Sequence, residues 1–199
     1  IDGVANAVTN YAQIIAEKFG SAVVVTPDNP EADDSVYPFP VVRYPSVDMT
    51  KLVGYRAGFP FSAAVQKTLE AGNFDIIHSH CPITSTMLAR SLRDRIKVPV
   101  VMTYHTKFDI DIANAIRGKL LQEEAKALLA ANISACDEVW TVSRGAGENL
   151  RAIGYEGDYI VMPNGVDFPQ GRVDEALIAQ VTEGYDLPEA IVVKMGGKA

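Results

Sequence analysis

The sequence predicts an α/β domain built on an open parallel sheet with helices on both faces. Short runs rich in valine and isoleucine alternate with longer amphipathic stretches, as in strands joined by crossover helices. The runs carry few charges and are expected to be apolar on both faces, like strands that helices cover above and below. With 199 residues, of which 48% are hydrophobic and 22% charged, the chain is long enough for one such domain.

We predict six strands and six helices. The strands fall at 22–26, 40–44, 75–79, 99–104, 138–142 and 159–163. The first helix has the clearest periodicity, with Val4, Val8 and Tyr11 on one face and Gly20 as the stop. The helices fall at 4–19, 60–72, 83–95, 117–134, 145–153 and 173–183.

The expected domain occupies residues 1–185, and residues 186–199 are expected to be an interdomain segment or the start of another domain. The chain opens at Asp2-Gly3-Val4, a glycine turn that enters a helix. In a doubly wound sheet such a turn normally follows a central strand. We therefore expect this domain to lack its first strand.

Charge and cysteine usage limit the class of protein. The net charge of -7 argues against a general nucleic-acid binder, which needs a surplus of Lys and Arg. Cys81 and Cys136 stand in no metal-ligand spacing. No segment contains the roughly eighteen uninterrupted apolar residues that a membrane span needs. These features favour a reduced, cytoplasmic setting without a structural metal.

Candidate site residues are sought just after each strand, because open parallel sheets bind ligands beyond the carboxyl ends of their strands. Gly3 leads into the first helix, where a missing side chain lets a backbone N–H approach a phosphate. It is a candidate phosphate contact. A glycine needed only for a tight turn explains the same residue equally well.

The stretch His78-Ser79-His80 ends the third predicted strand. A serine and a histidine there can bind the hydroxyls of a sugar or the oxygens of a phosphate. The alternative is structural, with one histidine buried among strand side chains and the other capping a helix. No third ligand at a recognisable spacing supports a metal site.

The strongest candidate is Thr103-Tyr104-His105-Thr106-Lys107-Phe108-Asp109, which ends the fourth predicted strand. An imidazole at a strand end can donate a hydrogen bond to a substrate hydroxyl or to a developing anion. A lone histidine is more often structural, but the flanking hydroxyls and Asp109 favour a functional His105. Ser143-Arg144 follows a later strand, where Ser143 is suited to cap a helix. Asn164-Gly165 is a turn signal in any fold.

Taken in order, these stretches resemble the family 4 retaining glycosyltransferases, in which two Rossmann-like domains face each other across a cleft in the GT-B arrangement. The resemblance covers nearly the whole chain. It is carried by Asp2-Gly3-Val4, Val8-x-Asn10-x-Ala12, Phe74-Asp75-Ile76-Ile77-His78-Ser79-His80, Pro99-Val100-Val101-Met102-Thr103-Tyr104-His105-Thr106, Ala135-Cys136-Asp137-Glu138-Val139, Val142-Ser143 and Pro163-Asn164-Gly165-Val166-Asp167.

The resemblance implies the amino-terminal, acceptor-side domain of an enzyme that moves a hexose from a nucleotide sugar to a hydroxyl acceptor with retention. It implies no metal and no cofactor, the nucleotide sugar being a substrate. Gly3 would contact the donor diphosphate, and His105 would line the cleft at the reacting centre. The acceptor side would be lined by His80, Thr106, Ser143 and Arg144.

In the same family the residues that hold the nucleotide sugar lie mostly in the carboxyl-terminal domain. This chain does not contain them, so residues 1–199 alone are not expected to transfer sugar. The expected partner of this domain is the enzyme's own carboxyl-terminal domain.

The Asp-Gly-Val opening and the Tyr-His-Thr-Lys-Phe-Asp stretch look most like members that glycosylate diacylglycerol or other lipid-linked acceptors. Between Lys51 and Lys67, aromatic and apolar residues combine with Arg56 in a mix suited to a bilayer surface; they are Leu52, Tyr55, Phe59 and Phe61. An ordinary loop that packs its aromatics inward is the alternative. The expected location is the cytoplasm, with peripheral contact at the inner membrane face.

Two other functions remain open on the sequence. Another GT-B enzyme, such as a sugar-nucleotide epimerase or a sucrose-synthesising relative, would differ mainly in its second domain. A free-standing ligand-binding module of flavodoxin-like topology would share the sheet and carry no catalytic function.

Overall fold

The computed structural model describes residues 3–50, 56–165 and 174–183. The chain divides into two compact units, residues 1–164 and residues 165–199. In the second unit the described residues include one helix, α7 (Glu175–Thr182), which the side chain of Asp174 caps. The boundary predicted after residue 185 lies outside the described residues.

The first unit alternates strands and helices along the chain. Its helices are α1 (Gly3–Lys18), α2 (Ala63–Glu70), α3 (Thr84–Ile96), α4 (Phe108–Ala115), α5 (Lys119–Ser134) and α6 (Arg144–Ala152). Its strands are β1 (Val24–Pro27), β2 (Val41–Tyr44), β3 (Ser46–Asp48), β4 (Arg56–Gly58), β5 (Ile77–Ser79), β6 (Val100–Tyr104), β7 (Glu138–Thr141) and β8 (Ile160–Val161). A short 3₁₀ turn spans Asp34–Val36.

The strands form two parallel sheets and one small antiparallel pair. The larger sheet has the order β5-β6-β7-β8, and β1 pairs with β2 in the other parallel sheet. Strands β3 and β4 pair antiparallel. The predicted Rossmann-like α/β class, with parallel strands joined by helices, is confirmed.

The six predicted strands all occur, with ends that differ by a few residues, and so do the six predicted helices. Two features were missed. Strands β3 and β4 are three residues each, too short to show an alternating pattern. Helix α4 is eight residues long, so its apolar pattern shows one four-residue repeat, from Phe108 to Ile112, which is too short to predict an amphipathic helix.

Among the described residues of the first unit, two buried clusters hold the helices and strands together. One joins β6, β7, α5 and α6 through side chains such as Met102, Ile133 and Leu150, each fully buried. The other joins β2, α2 and α3 around Tyr44, Leu69 and Leu92. Burying each large apolar side chain contributes about 1.5–3 kcal/mol, so these clusters fix the helices on one face of the strands.

The opposite face of the larger sheet carries polar side chains, although the sequence predicts strands that are apolar on both faces. Successive side chains on a strand point to opposite faces, and the register aligns His78 with Val101 and Thr103 with Trp140. This face therefore carries histidine, threonine and tryptophan side chains beside Val101. The expectation that the strands are apolar on both faces was therefore wrong for β5, β6 and β7. A covered sheet face can hold polar side chains when they find hydrogen-bond partners, as His78 does in Thr103.

Two glycines of α6 give a matched pair for testing the packing. A Cβ added at Gly147 would lie 2.5 Å from ring atoms of Tyr159, whereas a Cβ at Gly145 would meet nothing within 4 Å. Alanine normally stabilises a helix interior by about 1 kcal/mol relative to glycine, but overpacking costs about 1–3 kcal/mol.

We therefore expect Gly147→Ala to unfold at lower denaturant concentration than Gly145→Ala, with a difference of about 1–3 kcal/mol in unfolding free energy. Urea titration followed by circular dichroism measures it. Equal midpoints for the two variants would show that Tyr159 does not pack against α6.

Candidate functional site

The candidate site lies where β5 and β6 end. Their parallel register pairs Ser79 with Met102, so His80 and His105 follow the two strands on the same face of the sheet. The structure brings their rings together: Nδ1 of His80 lies 2.9 Å from Nε2 of His105, within hydrogen-bonding distance. Sequence reasoning named both residues without placing them in contact.

A third histidine completes the group. The ring centroids of His78 and His80 are 4.1 Å apart, and Nε2 of His78 lies 2.7 Å from Oγ1 of Thr103. We call His78, His80 and His105 the histidine cluster. All the histidines of the chain are in it, since the sequence has three.

Two aromatic side chains enclose the histidine cluster. The Tyr11 ring of α1 lies 5.8 Å from the ring of His78 and 5.7 Å from that of His80, measured between centroids. Trp140 of β7 meets His78 edge-on at 5.0 Å. These rings exclude water from one side of the imidazoles and restrict their rotation.

Burial decides the protonation of two of these histidines. Desolvation, together with a smaller contribution from the nearby His105, lowers the pKa of His78 to about 4. Desolvation also lowers the pKa of His80 to about 2, with added contributions from His78 and His105. Removing an imidazolium from water is unfavourable, so both rings are neutral at neutral pH.

The loop that carries His105 is anchored by Tyr104. Its hydroxyl donates to Oδ1 of Asn149 at 2.8 Å and accepts from the backbone N–H of Phe108 at 3.2 Å. Burial raises the pKa of Tyr104 to about 12, so this donor keeps its proton. The anchor fixes both ends of the short turn from β6 to α4, in which Thr106 is exposed.

A second set of hydrogen bonds anchors the turn after β5. Ser79 Oγ lies 2.8 Å from Oγ1 of Thr86, and Thr86 Oγ1 donates to the carbonyl of Cys81 at 2.7 Å. Asn132 Nδ2 of α5 donates to the carbonyl of Pro82 at 2.6 Å. The backbone around His80 is therefore held by contacts from two helices.

The other predicted site residues in this part of the chain lie at the starts of two helices. Ser143 caps α6, its Oγ accepting from the backbone N–H of Ala146 at 3.1 Å, and Arg144 begins that helix with an exposed side chain. Gly3 is the exposed first residue of α1, roughly two helical turns from Tyr11. The cap at Ser143 agrees with the structural role noted from the sequence, while contacts to a substrate stay predictions.

The segment proposed for membrane contact shows an exposed aromatic pair. Phe59 and Phe61 are 56% and 52% exposed, and their rings meet edge-on at 5.9 Å. Arg56 is engaged elsewhere, because its Nε donates to the carbonyl of Asp28 at 2.9 Å. Leu52 and Tyr55 lie outside the described residues.

Sequence reasoning missed Tyr11 and Trp140 as neighbours of the site, and it named Thr103 without pairing it with His78. Tyr11 was counted only as part of the apolar stripe of α1. The alternation of side chains along β5 and β6 is the signal that could have placed Thr103 beside His78, but it requires the register between the two strands. That register comes from the folded sheet.

Among residues 3–50, 56–165 and 174–183, no group of three or more His, Cys, Asp or Glu could hold a metal ion. In the same part of the chain no helix has the length and apolar content needed to cross a bilayer. The histidine cluster can instead donate and accept hydrogen bonds through its ring nitrogens.

Parallel strands that end in polar side chains at one edge define an α/β domain of the kind that binds ligands beyond its strand ends. The family is shown by comparison: the sequence model of Glycosyltransferase Family 4 matches residues 1–169. The chain therefore belongs to glycosyltransferase family 4. A search of curated protein sequences found no match.

Two solved structures of Anabaena Alr3699/HepE resemble this fold, each with 15% sequence identity and a TM-score of 0.59. One is a complex with UDP-glucose, and the other is a complex with UDP and glucose. The aligned regions cover 92% and 91% of this chain. They cover 46% of the solved chains, so this chain spans about half of their length.

The lowered pKa values of His78 and His80 predict a loss of stability in acid. Below the ordinary histidine pKa of about 6.5, His78 and His80 become protonated in the unfolded chain but stay neutral in the folded protein. The free energy of unfolding therefore falls as pH drops from about 6.5 toward 4, by up to roughly 1.4 kcal/mol per pH unit for each histidine.

In His78→Gln the amide can still reach Thr103, but it does not titrate. We expect urea titrations between about pH 7 and pH 5 to show a smaller loss of unfolding free energy than in the wild type. The carboxylates contribute to both proteins and cancel in the comparison. Parallel pH profiles would show that His78 is as easily protonated in the folded protein as in the unfolded chain.

Proposed function

We propose that the protein transfers a hexose from a nucleotide sugar to a hydroxyl acceptor, with retention at the anomeric carbon, and that His105 acts at the reacting centre. One observation carries this proposal. In a chain of glycosyltransferase family 4, His105 follows β6 at the edge of the parallel sheet and pairs with His80 at 2.9 Å.

The imidazole of His105 has the chemistry that transfer of a hexose to a hydroxyl group needs. An imidazole can donate a hydrogen bond to a sugar oxygen or stabilise charge that develops as the glycosidic bond breaks. Gly3 would let backbone N–H groups at the start of α1 approach the donor diphosphate. Thr106, Ser143 and Arg144 are exposed, and we assign them to the acceptor side together with His80.

The donor is proposed to be a uridine nucleotide sugar. Support comes from the solved complexes of Alr3699/HepE with UDP-glucose and with UDP and glucose. No cofactor is included in this proposal, because the nucleotide sugar is a substrate. We further propose that residues 1–199 need a second domain for turnover, since matched solved chains are about twice as long.

The test is His105→Ala in the full-length enzyme, assayed with UDP-glucose and a panel of hydroxyl acceptors, with products identified by mass. We expect turnover to fall by about 100-fold or more, because a positioned proton donor or charge stabiliser contributes that much. Lys107→Ala is the control: its side chain is exposed and makes no capping hydrogen bond to α4. Near-normal turnover in His105→Ala would remove this residue from the catalytic centre.

The same products separate the other candidate functions. An epimerase would change the sugar without consuming an acceptor. A binding module would retain UDP-glucose and release no glycosylated product in any assay. Either result would replace the proposed transfer reaction.

A lipid acceptor is supported by the exposed pair Phe59 and Phe61, which could insert at a bilayer surface. We accordingly propose a cytoplasmic enzyme that meets the inner membrane face peripherally. Both cysteines are free thiols, which fits a reducing compartment.

We expect the double variant Phe59→Ser/Phe61→Ser to transfer sugar to diacylglycerol in phosphatidylcholine vesicles about tenfold or more slowly. About 1.4 kcal/mol of lost apolar burial gives that factor. Transfer to a water-soluble acceptor should stay unchanged. The matched control is Leu120→Ser/Leu128→Ser on α5, where both leucines are at least 74% exposed. Equal losses in both double variants would exclude a specific role for the phenylalanines.

A further inference from the structure

The β3–β4 pair continues from the end of β2, which lies close to the turn after β5. Tyr44 ends β2, and its hydroxyl lies 3.0 Å from Oγ of Ser85 in the first turn of α3. Helix α3 in turn follows the residues just after His80. The base of the β3–β4 pair is therefore at the same edge of the first unit as the histidine cluster.

Gly58 lets β4 pack directly against the ring of Tyr44. A Cβ added at Gly58 would lie 2.3 Å from Cε2 of that ring, whereas carbon atoms in van der Waals contact are about 3.5–4.0 Å apart. The φ angle of Gly58 is not in the left-handed region, so the ring, and not backbone strain, excludes a side chain here. Because Tyr44 is fully buried, its ring has little room to move aside.

Hydrogen bonds also hold the base of the β3–β4 pair. Nε of Arg56 donates to the carbonyl of Asp28 at 2.9 Å and lies 2.9 Å from Oγ of Ser46. Oγ of Ser46 donates to the same carbonyl, and the backbone N–H of Phe59 donates to the carbonyl of Pro45 at 2.7 Å. The pair is therefore tied to the residues that follow β1 and β2.

The exposed rings of Phe59 and Phe61 are joined to this base by a short, anchored stretch. Pro60 between them is buried, and Ser62 caps α2 by accepting a hydrogen bond from the backbone N–H of Val65. A displacement of β4 would therefore shift the aromatic rings relative to the rest of the first unit.

We propose that Gly58 is a positioning residue, which packs β4 against Tyr44 and thereby sets the distance between the aromatic pair Phe59 and Phe61 and the histidine cluster. A lipid acceptor in a bilayer that the aromatic pair contacts then meets the reacting centre at a fixed depth. This inference rests on the proposed transfer to a lipid acceptor. A misplacement of about 1 Å can lower a reaction rate by about 100-fold.

The test compares Gly58→Ala with Gly72→Ala as a matched control. A Cβ at Gly72 would lie 2.4 Å from Cε2 of Phe74, a ring that packs against the same buried cluster as Tyr44. Both substitutions therefore overpack an aromatic ring of one core, but Gly72 follows α2 and is not part of the β3–β4 pair. Circular dichroism and thermal unfolding report whether each variant folds.

The first readout is transfer by the full-length enzyme from UDP-glucose to diacylglycerol in phosphatidylcholine vesicles and to a water-soluble acceptor. We expect Gly58→Ala to lower kcat for diacylglycerol at least about tenfold, because the bilayer is held at the wrong depth. Its transfer to the soluble acceptor, and both activities of Gly72→Ala, should stay near the wild-type values. No loss in Gly58→Ala, or equal losses on the two acceptors or in the two variants, would overturn the proposal.

The second readout is sedimentation of the full-length enzyme with the same vesicles, which does not depend on turnover. We expect Phe59→Ser/Phe61→Ser to bind them at least about tenfold more weakly, because apolar rings supply the binding. Gly58→Ala should bind like the wild type, since both rings stay exposed. If Gly58→Ala released the vesicles as fully as the double variant, Gly58 would support membrane binding itself, and the positioning role would be disproved.

Arg56→Ala tests the same placement without adding atoms to the core. It removes the hydrogen bonds to Asp28 and Ser46, and because phosphatidylcholine has no net charge, loss of the guanidinium should leave vesicle binding unchanged. We expect a selective loss of transfer to diacylglycerol of about threefold or more, since the β3–β4 pair is loosened and not displaced. A wild-type rate on diacylglycerol in Arg56→Ala would contradict the proposal even if Gly58→Ala did not fold.

Failure of the proposed function gives a different result. A wild-type enzyme that transfers hexose to no acceptor would disprove that function. Transfer to the soluble acceptor but not to diacylglycerol would disprove the lipid acceptor, and the role of Gly58 with it, while hexose transfer stands. Transfer to both acceptors without a selective loss in Gly58→Ala would disprove the positioning role alone.

Discussion

The parallel register between β5 and β6 is the constraint on which the site depends. It aligns His78 with Val101 and Ser79 with Met102, and the pleat then sends alternate side chains to one face. Four polar residues meet there because of this register alone; they are His78, His80, Thr103 and His105. A shift of one residue would turn the side chains of one strand to the other face and separate the pairs.

Polar side chains on a buried sheet face are tolerated only when they satisfy each other. His78 bonds with Thr103, and His80 bonds with His105. The burial that lowers the pKa of His78 and His80 also keeps both rings neutral, which lets each nitrogen serve as a defined donor or acceptor. The burial of these rings therefore determines both how the stability of the fold depends on pH and which hydrogen bonds the rings can make.

The opposite face of the sheet supplies rigidity. Met102 and Tyr104 are fully buried against α5 and α6, and the Tyr104 hydroxyl ties the end of β6 to the start of α4. In this family 4 glycosyltransferase domain, the polar residues at the carboxyl ends of β5 and β6 are therefore held by a closely packed core on the other face of the sheet. The chain spans about half of the solved chains that it resembles.

The sequence by itself determined the α/β class, the order of most strands and helices, and the position of His80 and His105 just after two strands, because alternating apolar runs and polar residues at strand ends are local patterns. It missed the β3–β4 pair and α4, whose patterns are too short. Tertiary structure alone decided that Tyr11, Trp140 and Thr103 enclose the histidines, and that His80 faces His105. Those contacts join residues far apart in the chain, so they depend on strand register and helix packing, which local residue patterns do not specify.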